Sequence, residues 1–256
     1  MNLKAKLNYF WLQKLGNEQE DYEDAFASKN KDIINNISIT LAVADGATES
    51  LFASIWAKML TKSFVEKPFF IRRTLQRRTN DLSNEWQRYI QSLGPLPWYA
   101  EEKTHLGAFA TILGVRFKSK RNSQHSGSWS AIALGDTCLF QIRNNELICS
   151  FPISSADKFG RFPHLLSSNL SYNLVVWDKV RFKKSEWRTG DLFILATDAL
   201  AYWFLSQNEQ NKKPWNDILN LTRNLSPSES FKSWVNDLRK SSQLKNDDVT
   251  ILLLRL

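Results

Sequence analysis

Four apolar, strand-like segments of this chain each have a carboxylate beside them. The segments are Ile37–Asp45, Trp129–Asp136, Leu192–Asp198 and Asp247–Leu254, and a fifth acidic segment, Glu23–Phe26, lies near the N-terminus. An acid at the end of a buried strand is held at the rim of the core. Several such acids at one rim form an oxygen-rich site suited to Mg²⁺ or Mn²⁺. Any one of them alone is typical of a turn, but their recurrence indicates a site.

Length and composition place the chain among ordinary globular proteins. The 256 residues suffice for one large domain or two small ones, and 43% of them are apolar and 23% charged. No apolar stretch reaches the roughly 18 residues of a transmembrane helix, and the N-terminus lacks the apolar core of a signal peptide. The two cysteines, Cys138 and Cys149, cannot build a disulfide framework or a zinc site alone. We therefore expect a cytoplasmic protein.

The net charge is +8, and basic residues cluster in two segments, Arg72–Arg78 and Lys118–Arg121. Such clusters can attract nucleic acid, an anionic surface or an acidic partner. The interpretation we favour is a solvated helix face for the first and a hairpin turn for the second. No zinc finger, RNA-binding aromatic signature or helix-turn-helix accompanies them. The charge assigns no function, and we expect neither nucleic acid nor a membrane as a partner.

Hydrophobic periodicity predicts more strands than helices. The predicted helices are Leu51–Phe64, Ile71–Leu93, Trp215–Leu225 and Ser228–Leu238. The predicted strands are Ile37–Ala44, Ala108–Phe117, Trp129–Leu134, Cys138–Arg143, Glu146–Phe151, Leu174–Trp177, Leu192–Ala196 and Val249–Leu254, with a hairpin turn at Asn144-Asn145. One helical block follows the first strands and another precedes the last strand. This order favours two sheets with helices outside them over alternating βαβ units.

Residues Pro152–Tyr172 form the longest stretch without clear periodicity. A long loop in a compact domain is more often functional than idle, so we predict a flap over a site; a surface excursion is the alternative. Within it, Lys158 and Arg161 are near Phe159 and Phe162 in sequence, a mixture of charge and apolar side chains suited to a phosphopeptide.

Six short motifs in order extend the argument beyond single acids. They are Glu23-Asp24-Ala25-Phe26, Ala44-Asp45-Gly46, Gly107–Thr111, Leu134–Thr137, Gly190–Asp198 and Asn246–Thr250. Their order and spacing resemble those of the PPM-type (metal-dependent, type 2C) serine/threonine protein phosphatases, in a divergent, bacterial-looking form. The resemblance spans nearly the whole chain. It implies one phosphatase domain over residues 1–256, an α+β fold with a four-layer α-β-β-α sandwich of two antiparallel sheets flanked by helices.

The resemblance also implies a site for two divalent metal ions, Mn²⁺ or Mg²⁺. Asp45 is then expected to bridge the two ions, and the backbone carbonyl of Gly46 to bind one of them. Asp198 and Asp247 are expected to be direct ligands of the other. The implied activity is hydrolysis of phosphoserine and phosphothreonine in proteins by a water that bridges the metals. The implied partner is a phosphoprotein substrate, with a partner kinase as one candidate.

Three further acids have supporting roles in this interpretation. Glu23 is expected to act through metal-bound water, with Asp24 behind it, and Asp136 to help hold a third, weaker metal ion, as in many members of the family. The physical chemistry agrees with these roles. Carboxylates gathered at one point repel each other and raise one another's pKa unless cations neutralise them.

The chain departs from the family at the position of a histidine that protonates the leaving group. Many members have a histidine shortly after the bridging acid, but this chain has Ala47 in the segment that follows Asp45. The histidines His105, His125 and His164 fall outside that motif and are expected to be surface or structural residues. The leaving group would then take its proton from metal-bound water or from an acid such as Glu49.

Two other departures concern the phosphate and the third metal. Gln19 replaces an arginine that grips phosphate in the family, and glutamine cannot supply the bidentate fork of a guanidinium. Tyr202 stands where an acid for the third metal is common. A second hypothesis therefore stays open, a phosphatase-like regulatory or binding domain with little or no turnover. Retention of Asp45, Asp198 and Asp247 together favours the enzyme.

Overall fold

Two antiparallel sheets lie face to face and are covered on their outer sides by helices. The computed structural model describes residues 3–29, 33–120, 123, 125–160 and 163–256. The strands are β1 (Leu3–Leu12), β2 (Ala25–Ser28), β3 (Ile33–Asn36), β4 (Ser38–Ala44), β5 (Phe109–Ala110), β6 (Ile112–Ser119), β7 (Ser126–Leu134), β8 (Cys138–Arg143), β9 (Glu146–Phe151), β10 (Leu166–Ser167), β11 (Arg181–Arg188), β12 (Leu192–Ala196) and β13 (Val249–Arg255). The helices are α1 (Ala53–Glu66), α2 (Arg72–Ser92), α3 (Trp98–Leu106), α4 (Asp198–Glu209), α5 (Pro214–Leu221) and α6 (Pro227–Lys240).

The first sheet has the strand order β3-β1-β13-β12-β8-β9, and the second has the order β11-β7-β6-β4-β2. Strands β5 and β10 form a separate pair. Every pairing in the two sheets is antiparallel. The carboxyl ends of β4 and β7, which are both neighbours of β6, therefore lie at the same edge of their sheet.

Apolar side chains fill the space between the sheets. Phe193 of β12 contacts Phe117 and Trp129 of the other sheet, with ring centroids 4.7 Å and 6.0 Å away. Its neighbours Leu192 and Ile194 point the other way and pack under the helices. Since side chains alternate across a strand, an uninterrupted apolar run such as that of β12 indicates a strand covered on both faces.

The helices complete four layers. Helices α1 and α2 cover the five-stranded sheet, where Trp56 and Trp86 meet edge to face. Helices α4, α5 and α6 cover the six-stranded sheet, where Phe204 stacks on Phe140 at 4.1 Å between ring centroids. The predicted α-β-β-α sandwich of the α+β class is thus confirmed.

Most of the predicted elements are present in the structure. Strands Cys138–Arg143, Glu146–Phe151 and Leu192–Ala196 have the predicted bounds. The turn between the first two is also confirmed: Asn144 and Asn145 have φ of 51° and 61°, the left-handed pair that a two-residue hairpin requires.

One predicted strand, Leu174–Trp177, is wrong. The chain instead forms a 3₁₀ turn over Leu170–Val175. The side chain of Asn173 explains the difference, because its Oδ1 accepts from the amide of Ser167 at 2.8 Å and its Nδ2 donates to the carbonyl of Ser167 at 2.8 Å. These two bonds fold the segment back onto β10.

Several elements were missed by the periodicity. Strand β11 is an edge strand with most side chains exposed, so it has no apolar alternation, and its pairing with β7 defines it. Helix α4 begins at Asp198, directly after β12.

The basic cluster Arg72–Arg78 lies on α2 as predicted, whereas the end of the cluster Lys118–Arg121 lies outside the described residues. In the described part of the chain, no helix combines the length and apolar character needed to cross a membrane.

Candidate metal centre

Four of the predicted acids border one cavity of about 630 Å³. Asp45 follows β4, Asp136 follows β7, Asp198 follows β12 and Asp247 precedes β13. Because β12 and β13 are antiparallel, the end of one and the start of the other meet at one edge. Gly46 also lines this cavity. The packing of the two sheets therefore brings these five predicted site residues together.

A hydrogen-bond network holds the backbone of Asp45. Its amide donates to the Thr111 hydroxyl at 2.8 Å, and the amide of Thr111 donates to the carbonyl of Asp45 at 2.8 Å. The hydroxyls of Thr111 and Thr137 lie 2.7 Å apart. The motifs around residues 111 and 137 thus fix the end of β4, which places the Asp45 carboxylate.

Gly46 is required by a close approach of backbone segments. A Cβ at this position would lie 2.7 Å from the carbonyl oxygen of Glu23 and 3.0 Å from Ala53. The backbone of Gly46 also bridges to that of Ala110. Any side chain would push the segment of Glu23 away from the end of β4, so glycine keeps these two parts of the site in contact.

The carboxylates of the cavity perturb each other. Burial raises the pKa of Asp45 well above its ordinary value, and the charges of Asp24 and Asp198 raise it further. Burial and the charge of Asp198 raise the pKa of Asp136 to about 7. Burial, followed by the charge of Asp247, raises the pKa of Asp198. Removing acids from water and gathering them at one place disfavours their charged forms. Cations bound at the site would stabilise the charged forms.

Two buried carboxylate oxygens point to the same need. Within the described residues, Oδ1 of Asp24 and Oδ1 of Asp136 have no hydrogen-bond partner. Leaving a buried polar atom unpaired costs about 1–3 kcal/mol, and more for a charged group. A carboxylate and carbonyl donor set with unpaired oxygens fits hard divalent cations.

The acids do not form a finished cluster by themselves. No three His, Cys, Asp or Glu side chains in the described parts of the chain lie close enough together to hold a metal ion. The ammonium of Lys245 instead lies 2.5 Å from Oδ2 of Asp247 and 3.8 Å from Oδ2 of Asp198. The chemistry of the donors fits a divalent cation, and a lysine neutralises part of the charge.

Glu23 lies beside the four acids rather than among them. It lines a neighbouring cavity of about 280 Å³ together with Lys14, whose Nζ is 3.8 Å from Oε2 of Glu23. Thr48 lines both cavities and accepts a hydrogen bond from Lys14 Nζ at 3.3 Å. Burial raises the pKa of Glu23. This position next to the acidic cavity is compatible with the predicted role of Glu23, which is to act through metal-bound water.

Asp24 lies buried behind the site. Its Oδ2 accepts hydrogen bonds from the hydroxyls of Thr197 at 3.0 Å and Thr250 at 2.7 Å. Burial raises its pKa well above the ordinary value, while the bond from Thr250 opposes that rise. Asp24 thus joins the residue before Asp198 to the strand that follows Asp247.

Two further residues position the site. Sequence reasoning assigned Asp248 no role and did not single out Arg239. Asp248 accepts from the amides of Lys14 at 2.8 Å and Glu23 at 2.7 Å, so it anchors the N-terminal segment. Arg239 of α6 is buried and donates to the carbonyl of Asp247 at 2.5 Å. The acidic pair at 247–248 was a signal for Asp248. Arg239 had none, because a basic residue in the last turn of a helix is common on solvated surfaces.

The departures from the family are visible in the cavity. All three histidines are described, and His105, His125 and His164 line no part of the acidic cavity. Glu49 does line it and is exposed. Gln19 lines a different, smaller cavity.

The loop Pro152–Tyr172 borders the site. Its residues Phe159, Gly160, Pro163 and Leu165 line the acidic cavity, and the ring of Phe159 meets that of Tyr202 edge to face at 5.8 Å between centroids. The predicted phosphopeptide contacts, Arg161 and Phe162, lie outside the described residues. Lys158 is exposed, and its Nζ donates to Ser154 at 2.9 Å. The described part of the loop thus contributes an apolar wall.

Solved structures with the same architecture are serine/threonine phosphatases and related proteins. The chain is similar to the serine/threonine phosphatase Stp1 from Staphylococcus aureus, with 15% identity over 100% of this chain and 97% of that one and a TM-score of 0.59. It is similar to the catalytic domain of the phosphatase PstP in complex with two manganese ions, with 13% identity over 98% of both chains and a TM-score of 0.58. A third is RsbX in complex with magnesium, with 19% identity over 100% of this chain and 97% of that one and a TM-score of 0.53.

These similarities are structural. No protein-family model matches the chain, and no curated protein matches it in sequence. At 13–19% identity the comparison establishes the fold. The chain has the fold of the PPM-type phosphatases, and the predicted resemblance to them is confirmed at that level.

Proposed function

We propose that this chain is one phosphatase domain that hydrolyses phosphoserine and phosphothreonine in proteins and depends on divalent metal ions. The observation that supports this most directly is the convergence of Asp45, Asp136, Asp198 and Asp247 on one cavity. Their chain positions are far apart, so local turn formation does not account for their meeting. The phosphatase fold supports the same conclusion.

The residues that would hold the metals are those named from the motifs. Asp45 and the carbonyl of Gly46 would bind one Mn²⁺ or Mg²⁺ ion, and Asp45, Asp198 and Asp247 the other. Asp136, with its unpaired Oδ1, would serve a weaker third position. Bound divalent cations supply charge neutralisation, a lowered pKa for coordinated water and stabilisation of the phosphoryl oxygens.

The chain's own residues orient these donors. Thr111 fixes the backbone of Asp45, and Asp248 and Arg239 hold the segments that carry Glu23 and Asp247. Such fixed positions reduce the reorganisation needed during the reaction.

Protonation of the leaving alkoxide needs a source other than histidine. Glu49 lines the acidic cavity, is exposed and has no proposed role as a metal ligand. We propose that its carboxylate relays a proton from water to the alkoxide. Glu49→Gln is then expected to slow serine phosphopeptides more than aryl phosphates, whose phenolate leaves without full protonation.

A regulatory or binding domain with little turnover is the second candidate. The observations that favour it are Ala47 and Gln19 at positions where the family has catalytic and phosphate-binding residues, and Lys245 on two of the acids. This alternative predicts a folded protein that binds phosphoprotein without hydrolysis.

The test is hydrolysis of an aryl phosphate and of a phosphoserine peptide by the purified protein, with Mn²⁺, with Mg²⁺ and with a chelator. Activity with either metal and its loss on chelation is the expected result. Asp217→Asn is the control variant, since Asp217 is an exposed acid on α5 that does not line the cavity. It is expected to keep the metal-dependent activity of the unmodified protein. Activity that persists after exhaustive removal of metal would refute the metal-dependent mechanism. Phosphopeptide binding without turnover would favour the second candidate.

A further inference from the structure

Lys245 places an ammonium group on two of the carboxylates that we propose as metal ligands. Its Nζ is 2.5 Å from Oδ2 of Asp247 and 3.8 Å from Oδ2 of Asp198. The lysine precedes Asp247 by two residues in the segment between α6 and β13. It therefore contacts one acid of its own segment, Asp247, and one at the start of α4, Asp198.

Lys245 differs from the other residues of the cavity in its charge, and it is largely exposed. Of the described residues that line the acidic cavity, Lys245 is the one with a basic side chain. Its side chain is 67% exposed, so the ammonium can leave the acids for solvent without disturbing the core. An ammonium is a compact charge on a flexible stem, and such a group can act as a removable counter-ion.

Arg239 shows the contrast. Its buried guanidinium donates to the backbone carbonyls of Gln13 and Asp247 and not to the Asp247 carboxylate. Arg239 is thus a fixed structural cation, whereas Lys245 occupies the carboxylate oxygens themselves.

An ammonium and a divalent cation compete for the same carboxylate oxygens. A metal ligated by Asp247 would stand about 2.0–2.6 Å from its oxygen, within a few ångströms of the Lys245 Nζ position. The two positive charges would repel each other, and the hydrogen bond from Lys245 would be lost. Binding of metal at these oxygens of Asp198 and Asp247 would therefore oppose the contacts of Lys245.

We propose that Lys245 is an intramolecular competitor of the divalent cation at Asp198 and Asp247. It neutralises these acids when metal is absent and raises the metal concentration at which the site fills. The inference rests on the metal centre of the proposed function and adds a residue that sets its metal affinity.

The test is direct measurement of Mn²⁺ binding by titration calorimetry, at constant pH and ionic strength. The variants are Lys245→Met, which removes the charge, and Lys245→Arg, which keeps it. Lys240→Met is the matched control, since Lys240 is exposed, pairs with Asp237 on α6, and neither residue lines the acidic cavity. It changes the net charge by the same amount.

Lys245→Met is expected to bind Mn²⁺ about two- to fivefold more tightly than the unmodified protein, the range of a partly exposed ion pair. Lys240→Met and Lys245→Arg are expected to bind like the unmodified protein. Unchanged or weaker binding by Lys245→Met, with Mn²⁺ still bound by the unmodified protein, would overturn the inference and leave the proposed function standing. Absence of Mn²⁺ binding in every protein would overturn both.

Discussion

The raised pKa of Asp136 predicts a pH-dependent stability that one substitution removes. The carboxyl is 6% exposed, its Oδ1 has no partner in the described structure, and burial and Asp198 raise its pKa from 3.8 to about 7. In the metal-free protein, the folded state therefore keeps the proton of Asp136 at pH values where the unfolded chain has lost it. Asp136→Asn replaces the carboxyl by a neutral group of the same shape.

The sign and size follow from proton linkage. Because the folded state binds the extra proton, the stability associated with Asp136 is fully present below about pH 4 and declines as pH rises to about 7. One pKa unit equals about 1.4 kcal/mol, so the whole loss is at most about 4 kcal/mol. Asp136→Asn avoids that loss. Its stability advantage over the unmodified protein is expected to grow by about 2–3 kcal/mol between pH 5 and pH 8.

Urea denaturation with a chelator present, at pH 5 and pH 8, measures this advantage. Comparing two pH values cancels any fixed effect of the amide on packing. Asp217→Asn, at an exposed position, is the control and is expected to show no growth with pH. If the advantage of Asp136→Asn were the same at both pH values, the carboxyl would not be held protonated by burial, and the reasoning would be wrong.

Two further predictions concern turnover and the backbone approach. Asp198→Ala and Asp247→Ala are expected to abolish metal-dependent hydrolysis while circular dichroism stays unchanged. Asp198 begins α4 and Asp247 precedes β13, both at the rim of the cavity, so their loss removes mutual repulsion rather than core packing. Near-full activity in both variants would contradict their assignment as ligands. Gly46→Ala is expected to lower the free energy of unfolding by about 1–3 kcal/mol, since its Cβ would lie 2.7 Å from the carbonyl oxygen of Glu23. Urea denaturation measures this effect, and an unchanged midpoint would show that the segment of Glu23 yields easily.

Local sequence patterns determined a large part of the fold. The apolar run of β12 predicted its strand with the observed bounds. A strand that is buried on both faces needs an apolar side chain at every consecutive position. The pair Asn144-Asn145 predicted its turn because asparagine tolerates positive φ. Pro214 and Pro227, now the first residues of α5 and α6, marked two helix starts. These signals lie within a few residues of the elements that they specify.

The tertiary structure alone decided which side chains meet. Sequence order named the acids, but it did not place Glu23 in a neighbouring cavity or Lys245 on Asp198 and Asp247. Likewise, the bond from the amide of Lys14 to Asp248 joins residues 234 positions apart. Such contacts depend on how two sheets and their helices pack. The type of a side chain determines which groups it can bind, but the fold of the whole chain determines which partner lies within reach.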